Sequence, residues 1–371
     1  MKTVGIIGGG PAGSACALTL ARGGARVLLF EREPDREKPC GGGLTARAFR
    51  ALPELARLDL PWAEAREFHL VGPTGRRACL TLDPPIRIVS RRILDRALRR
   101  LAEQAGAQII PEHVADLARA AGGGWEANGR SVDVLVGAGG MNDPLARLQN
   151  VVLTRDERAT AVGRFVRGNF APCIVVRFFP DQRGYAWWFP RPDHASLGIE
   201  LAGEHFDKEL AWKLLRQFAA EDLPGVDITN GEDYGWSGPA VTRWDARVFG
   251  GPDWLLVGDA AGLADVTTGE GISYALASGK LAAECILCDD VGGYPARLHE
   301  SLVPELAKSA RLHPKLYRGW VLRLSILALT RSRTWRTINA ETAHGFQSYL
   351  TLKRRVYRAL PRVIGEVIIG T

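Results

Sequence analysis

The 371-residue chain is poor in paired cysteine. Its six cysteines (Cys16, Cys40, Cys79, Cys173, Cys285 and Cys288) are scattered, and the one Cys-x-x-Cys pair, Cys285 and Cys288, falls in a helical pattern with no second pair to complete a zinc site. They read as reduced thiols of a cytoplasmic protein, and no metal site is expected. No apolar run approaches the roughly 18 residues that a membrane span requires, and the first residues lead straight into a strand rather than a signal-peptide pattern. Repeats and low-complexity segments are also lacking. The main body is short of positive charge. Residues 311–371 hold ten Arg and two Lys against two Glu, a net +10, which leaves −3 on the first 310 of a chain whose total is +7. A slightly acidic body excludes a nucleic-acid partner there, and the basicity belongs to the tail.

What is present centres on Trp254 to Glu284. A buried-strand run (Trp254, Leu255, Leu256, Val257) breaks at Gly258-Asp259, turns through Gly269-Glu270-Gly271 and restarts as a helix of small and apolar residues from Ile272. Asp259 offers acceptors for hydroxyls. The glycines admit a flat ligand, and the helix start aims unpaired N–H groups and a positive dipole end at it.

The N-terminus supplies a second ligand-holding turn. The apolar strand Lys2 to Ile7 runs into Gly8-Gly9-Gly10-Pro11-Ala12-Gly13 and an Ala/Leu-rich helix, and a second strand ends at Glu31-Arg32. This is G-x-G-x-x-G in its proper context. Gly8 permits the turn, Gly10 lets a pyrophosphate reach the helix end, Gly13 allows close packing and Glu31 takes the ribose hydroxyls. The pattern fits NAD or FAD alike, and the acid at 31 disfavours a 2′-phosphate.

Further on, Lys38-Pro39-Cys40-Gly41-Gly42-Gly43 is a glycine run suited to close contact with a flat ligand, with Cys40 a candidate weak acid at its edge. A hairpin is expected over 67–82, and a charged helix from Arg91, which sits where it can reach a phosphate. Residues 159–200 turn to β periodicity. Within them Gly184-Tyr185-Ala186-Trp187-Trp188-Phe189-Pro190 places Tyr185, Trp187 and Phe189 on one face of a strand, a wall for an elongated apolar substrate. The chain is helical after Glu284. Leu352, Val356, Ala359 and Leu360 share one arc opposite Arg354, Arg355 and Arg358, and Pro361 is expected to stop that helix.

GGGPAG with Glu31, KPCGGGL at 38–44, Arg91-x-x-Leu94-Asp95, GYAWWFP at 184–190 and GDAAGLADVTTGEGI at 258–272 together resemble the geranylgeranyl reductase family of FAD-dependent oxidoreductases, in register over about residues 1–285. The resemblance implies an α/β fold of the p-hydroxybenzoate hydroxylase type: a Rossmann-type FAD-binding domain interleaved with a β-rich substrate domain, followed by C-terminal helices. The expected division is 1–66, 88–157 and 246–295 for FAD, 67–87 and 158–245 for substrate, and 296–371 for the helical region. It also implies the site. Gly8, Gly10, Ala12, Gly13, Glu31, Arg32, Gly42, Arg91, Asp259, Gly269, Gly271 and Ile272 would hold FAD. Tyr185, Trp187, Phe189 and Pro190 would line a prenyl channel, and Cys40 would lie close to the flavin as the catalytic acid.

Two departures matter. Flavin hydroxylases of this fold carry GADG followed by Ser and Arg, where this chain has Gly137-Ala138-Gly139-Gly140 and Asp143. Val266 replaces the family's proline in the glycine-flanked turn. The expectation is a reductase that saturates C=C bonds of a prenyl or lipid-like substrate, with electrons from a separate protein or reduced nicotinamide and a peripheral membrane contact through the basic tail. A flavin monooxygenase of an aromatic or polyketide compound and a flavin-dependent halogenase are the alternatives.

Overall fold

The computed structural model describes residues 2–180, 182–201 and 206–369. The chain opens with β1 (Thr3–Ile7), α1 (Pro11–Arg22) and β2 (Arg26–Phe30), then β3 (Gly43–Leu44), α2 (Ala46–Ala51) and a long hairpin, β4 (Ala63–Val71) with β5 (Arg77–Ile88). Next come α3 (Arg91–Gln104), β6 (Gln108–Ile110), β7 (Leu117–Arg119), β8 (Trp125–Ala127), β9 (Arg130–Val132), β10 (Val134–Gly137) and α4 (Pro144–Leu148). A β-rich stretch follows: β11 (Arg158–Arg167), β12 (Cys173–Phe178), β13 (Gly184–Pro190), β14 (His194–Leu201), α5 (Lys208–Asp222) and β15 (Gly231–Pro239). The chain ends with β16 (Trp254–Leu256), α6 (Ile272–Leu287), α7 (Tyr294–Ser301), α8 (Val303–Leu316), α9 (Gly319–Arg331), α10 (Arg333–His344) and α11 (Tyr349–Ile369).

Continuous apolar runs such as Val-Leu-Leu-Phe in β2 suit strands covered on both faces. They build a parallel five-stranded sheet in the order β16-β10-β1-β2-β6. This order brings the C-terminal ends of β1 and β16, each followed by a glycine turn, to one edge of the layer, where open α/β sheets bind ligands. Helices α1 and α6 lie together across the sheet. Their approach depends on Gly279, where a Cβ would stand 2.1 Å from the Ala12 carbonyl oxygen.

The second layer is an eight-stranded sheet, β15-β11-β14-β13-β12-β4-β5-β3, antiparallel except where β12 pairs with β4. Period-two alternation divides β13. Ala186 and Trp188 pack toward α5, while Trp187 with its partly buried neighbours Tyr185 and Phe189 packs on the other face. The architecture is therefore α/β with a β-rich second layer and a helical C-terminus.

Two local expectations are corrected, and one small sheet is added. The hairpin is longer than 67–82, because alternation continues to Ala63 and Ile88 on either side of a bulge between Ala65 and Glu67. A small antiparallel sheet, β7-β8-β9, occupies residues 117–132, where strands of three residues leave almost no periodic signal. Helix α11 passes through Pro361 to Ile369. Proline removes one helical hydrogen bond, and the Tyr357 carbonyl it would have used lies on an exposed turn where water can serve instead.

Candidate functional site

The turn after β1 is held by backbone demands. Gly8 has φ +101°, and a Cβ there would lie 2.5 Å from the Ala138 carbonyl oxygen. Gly13 closes on the same turn, with a Cβ position 1.9 Å from the Gly8 carbonyl oxygen. Gly10 differs. It is the N-cap of α1, and among the described residues nothing lies within 4 Å of its missing Cβ and no side chain caps the helix. Free N–H groups and the positive end of the helix dipole therefore face open space. Glu31 accepts from Gly9 N at 2.7 Å and from Glu33 N at 2.9 Å, which fixes the carboxylate beside the turn with lone pairs to spare.

The turn after β16 presents a second uncapped helix. Gly258 adopts φ +56°, its N–H donates to Ser278 Oγ at 3.0 Å, and Asp259 follows. Asp259 pairs with Lys38 Nζ at 2.8 Å. Burial raises its carboxyl, but the charge and hydrogen bond of Lys38, with Arg91 beyond, outweigh that and hold it below the usual range. Gly271 caps α6 without a side-chain bond and without an acid in the first turn. The intervening loop is pinned by Glu270, which accepts from Thr45 Oγ1 at 2.6 Å and Arg47 Nη1 at 2.8 Å. Gly269 has φ +69°, and a Cβ there would stand 2.2 Å from the Tyr185 hydroxyl oxygen, so the loop and the aromatic wall touch.

Cys40 lies where these pieces meet. Its Sγ accepts from Gly42 N at 3.3 Å and its carbonyl accepts from Arg191 Nη2 at 2.6 Å. Arg191 is wholly buried and also donates to Glu37 Oε1 at 2.8 Å. Glu37 in turn accepts from Arg91 N at 2.9 Å and Arg92 N at 3.2 Å, so it caps α3 and ties the cysteine loop to it. The glycine run is tighter than its sequence suggests. Gly42, at φ +77°, has the Val89 carbonyl oxygen 2.2 Å from a Cβ position, and Gly41 and Gly43 lie against the Phe189 ring.

One cavity of about 1250 Å³ runs past all of these features. It is lined by Gly8, Gly10, Ala12, Glu31, Arg32, Cys40, Gly42, Arg91, Asp259, Gly269, Gly271 and Ile272, and by Tyr185, Trp187 and Phe189. Gly13 is not on its wall and acts through packing. Pro190 is also absent, because alternation turns it to the opposite face of β13. Arg91 borders the cavity with two of its donors spent on Asp95, both at 2.9 Å. Arg32 is ion-paired to Glu33 at 3.2 Å.

The far half of the cavity has an apolar floor on the eight-stranded sheet, including Phe68, Leu70 and Trp236, and a roof of C-terminal helices that includes Ile326, Leu329, Leu352 and Val356. Sequence reasoning missed that roof, because no local pattern says which helix face meets which sheet. It also missed Lys38, Glu37 and Arg191, because Lys38 meets Asp259 across 221 residues and Glu37 meets Arg191 across 154. A third omission is Glu200. Its carboxyl lines the apolar cavity without an ion-pair partner among the described residues, and burial pushes it up to about 7.

Residues 3–160 match the FAD dependent oxidoreductase family. The chain is 30% identical to the geranylgeranyl diphosphate reductase of Rhodobacter capsulatus, over 79% of this chain and 77% of that one. It is also 30% identical to the menaquinone reductase of Mycolicibacterium smegmatis, over 90% and 89%. A crystal structure of a geranylgeranyl bacteriochlorophyll reductase-like protein from Thermoplasma acidophilum shares the fold, with a TM-score of 0.72 over the whole of both chains at 22% identity.

Proposed function

This chain belongs to the geranylgeranyl reductase family of FAD-dependent oxidoreductases, and from that footing we propose that it saturates carbon–carbon double bonds of a prenyl chain on a lipid or lipid precursor. The observation that carries the reading is the continuity of one cavity from the uncapped start of α1, past the uncapped start of α6, to the wall of Tyr185, Trp187 and Phe189. A dinucleotide half, a reactive ring and a long apolar substrate can lie end to end along it.

The residues fit FAD. The open space at Gly10 and the free N–H groups of α1 suit a pyrophosphate, which Gly8 admits and which Arg32 and Arg91 border. Glu31 would take the adenosine ribose and Asp259 the ribityl hydroxyls. Gly269, Gly271 and Ile272 would face the ring, where the N-terminus of α6 favours negative charge. When bound and reduced, FAD supplies the hydride that saturation consumes.

The chain's own residues supply the rest. Tyr185, Trp187 and Phe189 orient the prenyl chain and exclude water. Cys40 holds a proton on Sγ at the cavity edge, within the loop that Arg191 fixes, and delivers it to the second carbon. The single glycine fingerprint leaves the electrons to come from a donor that docks in passing, a reduced nicotinamide or a protein.

The route for a lipid is set by the roof. No helix among the described residues is long and apolar enough to cross a membrane. Trp320 and Leu324 of α9 and Tyr357, Leu360, Ile364 and Ile368 of α11 are exposed beside exposed Arg354 and Arg358, on two helices that touch. Trp320 and Tyr357 also border the cavity. This apolar and basic face suits an anionic membrane surface from which a prenyl chain can enter.

The test is anaerobic turnover of the flavin-loaded protein with a chemical reductant and a polyprenyl lipid, followed by mass analysis. A gain of two hydrogens per reaction supports the reading. A product that forms only with oxygen and gains an oxygen atom or a halogen contradicts it.

A further inference from the structure

On the side of the eight-stranded sheet away from the cavity, three side chains with metal-ligand chemistry, Glu67, His69 and Cys173, converge from two strands, and a fourth, Cys79, stands on the next strand. Alternation along β4 sends Phe68 and Leu70 to the cavity wall and Glu67 and His69 to the other face. The parallel register with β12 sets Cys173 beside Glu67. The antiparallel register with β5 sets Cys79 beside His69.

The ligand atoms of Glu67, His69 and Cys173 all lie within 4.8 Å of one another. His69 Nε2 is 3.0 Å from Glu67 Oε2, while its Nδ1 is buried and has no hydrogen-bond partner among the described residues. The imidazole thus sits against the carboxylate through Nε2, with the Cys173 thiol within reach, and a buried orphan nitrogen on the same ring is a polar group that calls for explanation. The neighbouring cations do not supply one. Arg77 is held by Asp222 at 2.9 Å, and Arg336 donates to the carbonyls of Leu329 and Thr330.

We propose that Glu67, His69 and Cys173, completed by the exposed Cys79, bind one zinc ion on the outer face of β12, β4 and β5. Two thiolates, an imidazole and a carboxylate form the mixed sulfur, nitrogen and oxygen set that tetrahedral zinc prefers over calcium or magnesium. Tetrahedral zinc spaces its ligand atoms roughly 3.5 Å apart, so the three gathered atoms, all within 4.8 Å of one another, need only small shifts. Such an ion clamps from behind the three strands that carry Phe68, Leu70, Leu80, Ile174 and Val176 on the cavity floor. This site is independent of the flavin reading.

The experiment is a zinc titration of the flavin-loaded, chelator-stripped full chain against a chromophoric chelator, with melting followed in parallel. The expected result is one zinc per chain and a zinc-dependent rise in melting temperature. Cys173→Ser and His69→Gln should each weaken uptake by about tenfold or more, and Glu67→Gln repeats the comparison at an exposed position where the fold tolerates change. Cys288→Ser, an exposed cysteine elsewhere, should bind as the parent does. No stoichiometric uptake by the parent, or parent-like affinity in Cys173→Ser and Glu67→Gln, overturns the proposal.

Discussion

Lys38 Nζ lies 2.8 Å from Asp259 Oδ2, joining the loop after β2 to the turn after β16 across 221 residues of sequence. The pair closes one wall of the cavity and holds the Asp259 carboxyl below its ordinary range despite burial. A carboxylate depressed in the folded state adds stability above its unfolded value, and that stability is lost as pH falls through the folded value. Lys38→Met should therefore cost about 1–2 kcal/mol near neutral pH, and the difference from the parent should shrink in acid. Urea unfolding across a pH series measures this. Asp259→Ala should weaken flavin retention by about 10–100-fold, the worth of a hydrogen bond to a charged group.

Two glycines of one motif should separate under the same substitution. Gly13→Ala puts a methyl 1.9 Å from a backbone oxygen and should lower the melting temperature with or without flavin. Gly10→Ala meets nothing within 4 Å among the described residues, so the apoprotein should melt as the parent does while flavin affinity falls. Equal flavin affinity in Gly10→Ala would remove the pyrophosphate from that turn.

Glu200 makes a prediction of opposite sign to Asp259. Its folded-state value is about 7, while an unfolded glutamate titrates near about 4.3. Between those values the folded chain keeps a proton that the unfolded chain has lost, so stability falls as pH rises across that window. Glu200→Gln should match the parent in acid and exceed it by up to about 4 kcal/mol above the window. A pH-independent difference between the two would show that the carboxyl does not titrate there.

Membrane contact can be tested without cutting the chain. Removing residues after 310 would take away the cavity roof, including Leu352 and Val356, so point changes are the cleaner probe. Trp320→Glu with Ile368→Glu should reduce co-sedimentation with anionic liposomes severalfold and leave bound flavin unchanged. Unaltered sedimentation would place the contact elsewhere or abolish it.

The sequence was most legible where chemistry is local. Gly8, Gly10, Glu31, Asp259 and Gly271 sit in short strand–turn–helix units, and each turn dictates its residue type at a fixed spacing. Tyr185, Trp187 and Phe189 were legible as one face because a strand alternates. Pro190 fell on the wrong face when the whole motif was carried over together, although the same alternation would have excluded it. Lys38, Glu37, Arg191 and Glu200 were hidden because their roles come from which strand lies beside which. So was the meeting of His69 with Cys173, from separate strands, which cysteine spacing alone could not disclose. The roof was hidden for a related reason: α9 has no clean amphipathic stripe, and its Ile326 and Leu329 are buried by a sheet formed earlier in the chain.

On the function proposed above, electrons stored in the flavin pass directly into a prenyl double bond within one cavity. The most direct measurement is flavin absorbance in a single anaerobic turnover: the protein is reduced, excess reductant is removed, and a polyprenyl lipid is added without oxygen. The oxidised-flavin spectrum should return on lipid addition, with one double bond saturated per flavin. A flavin that stays reduced until oxygen is admitted, beside a lipid that then gains oxygen, would contradict it.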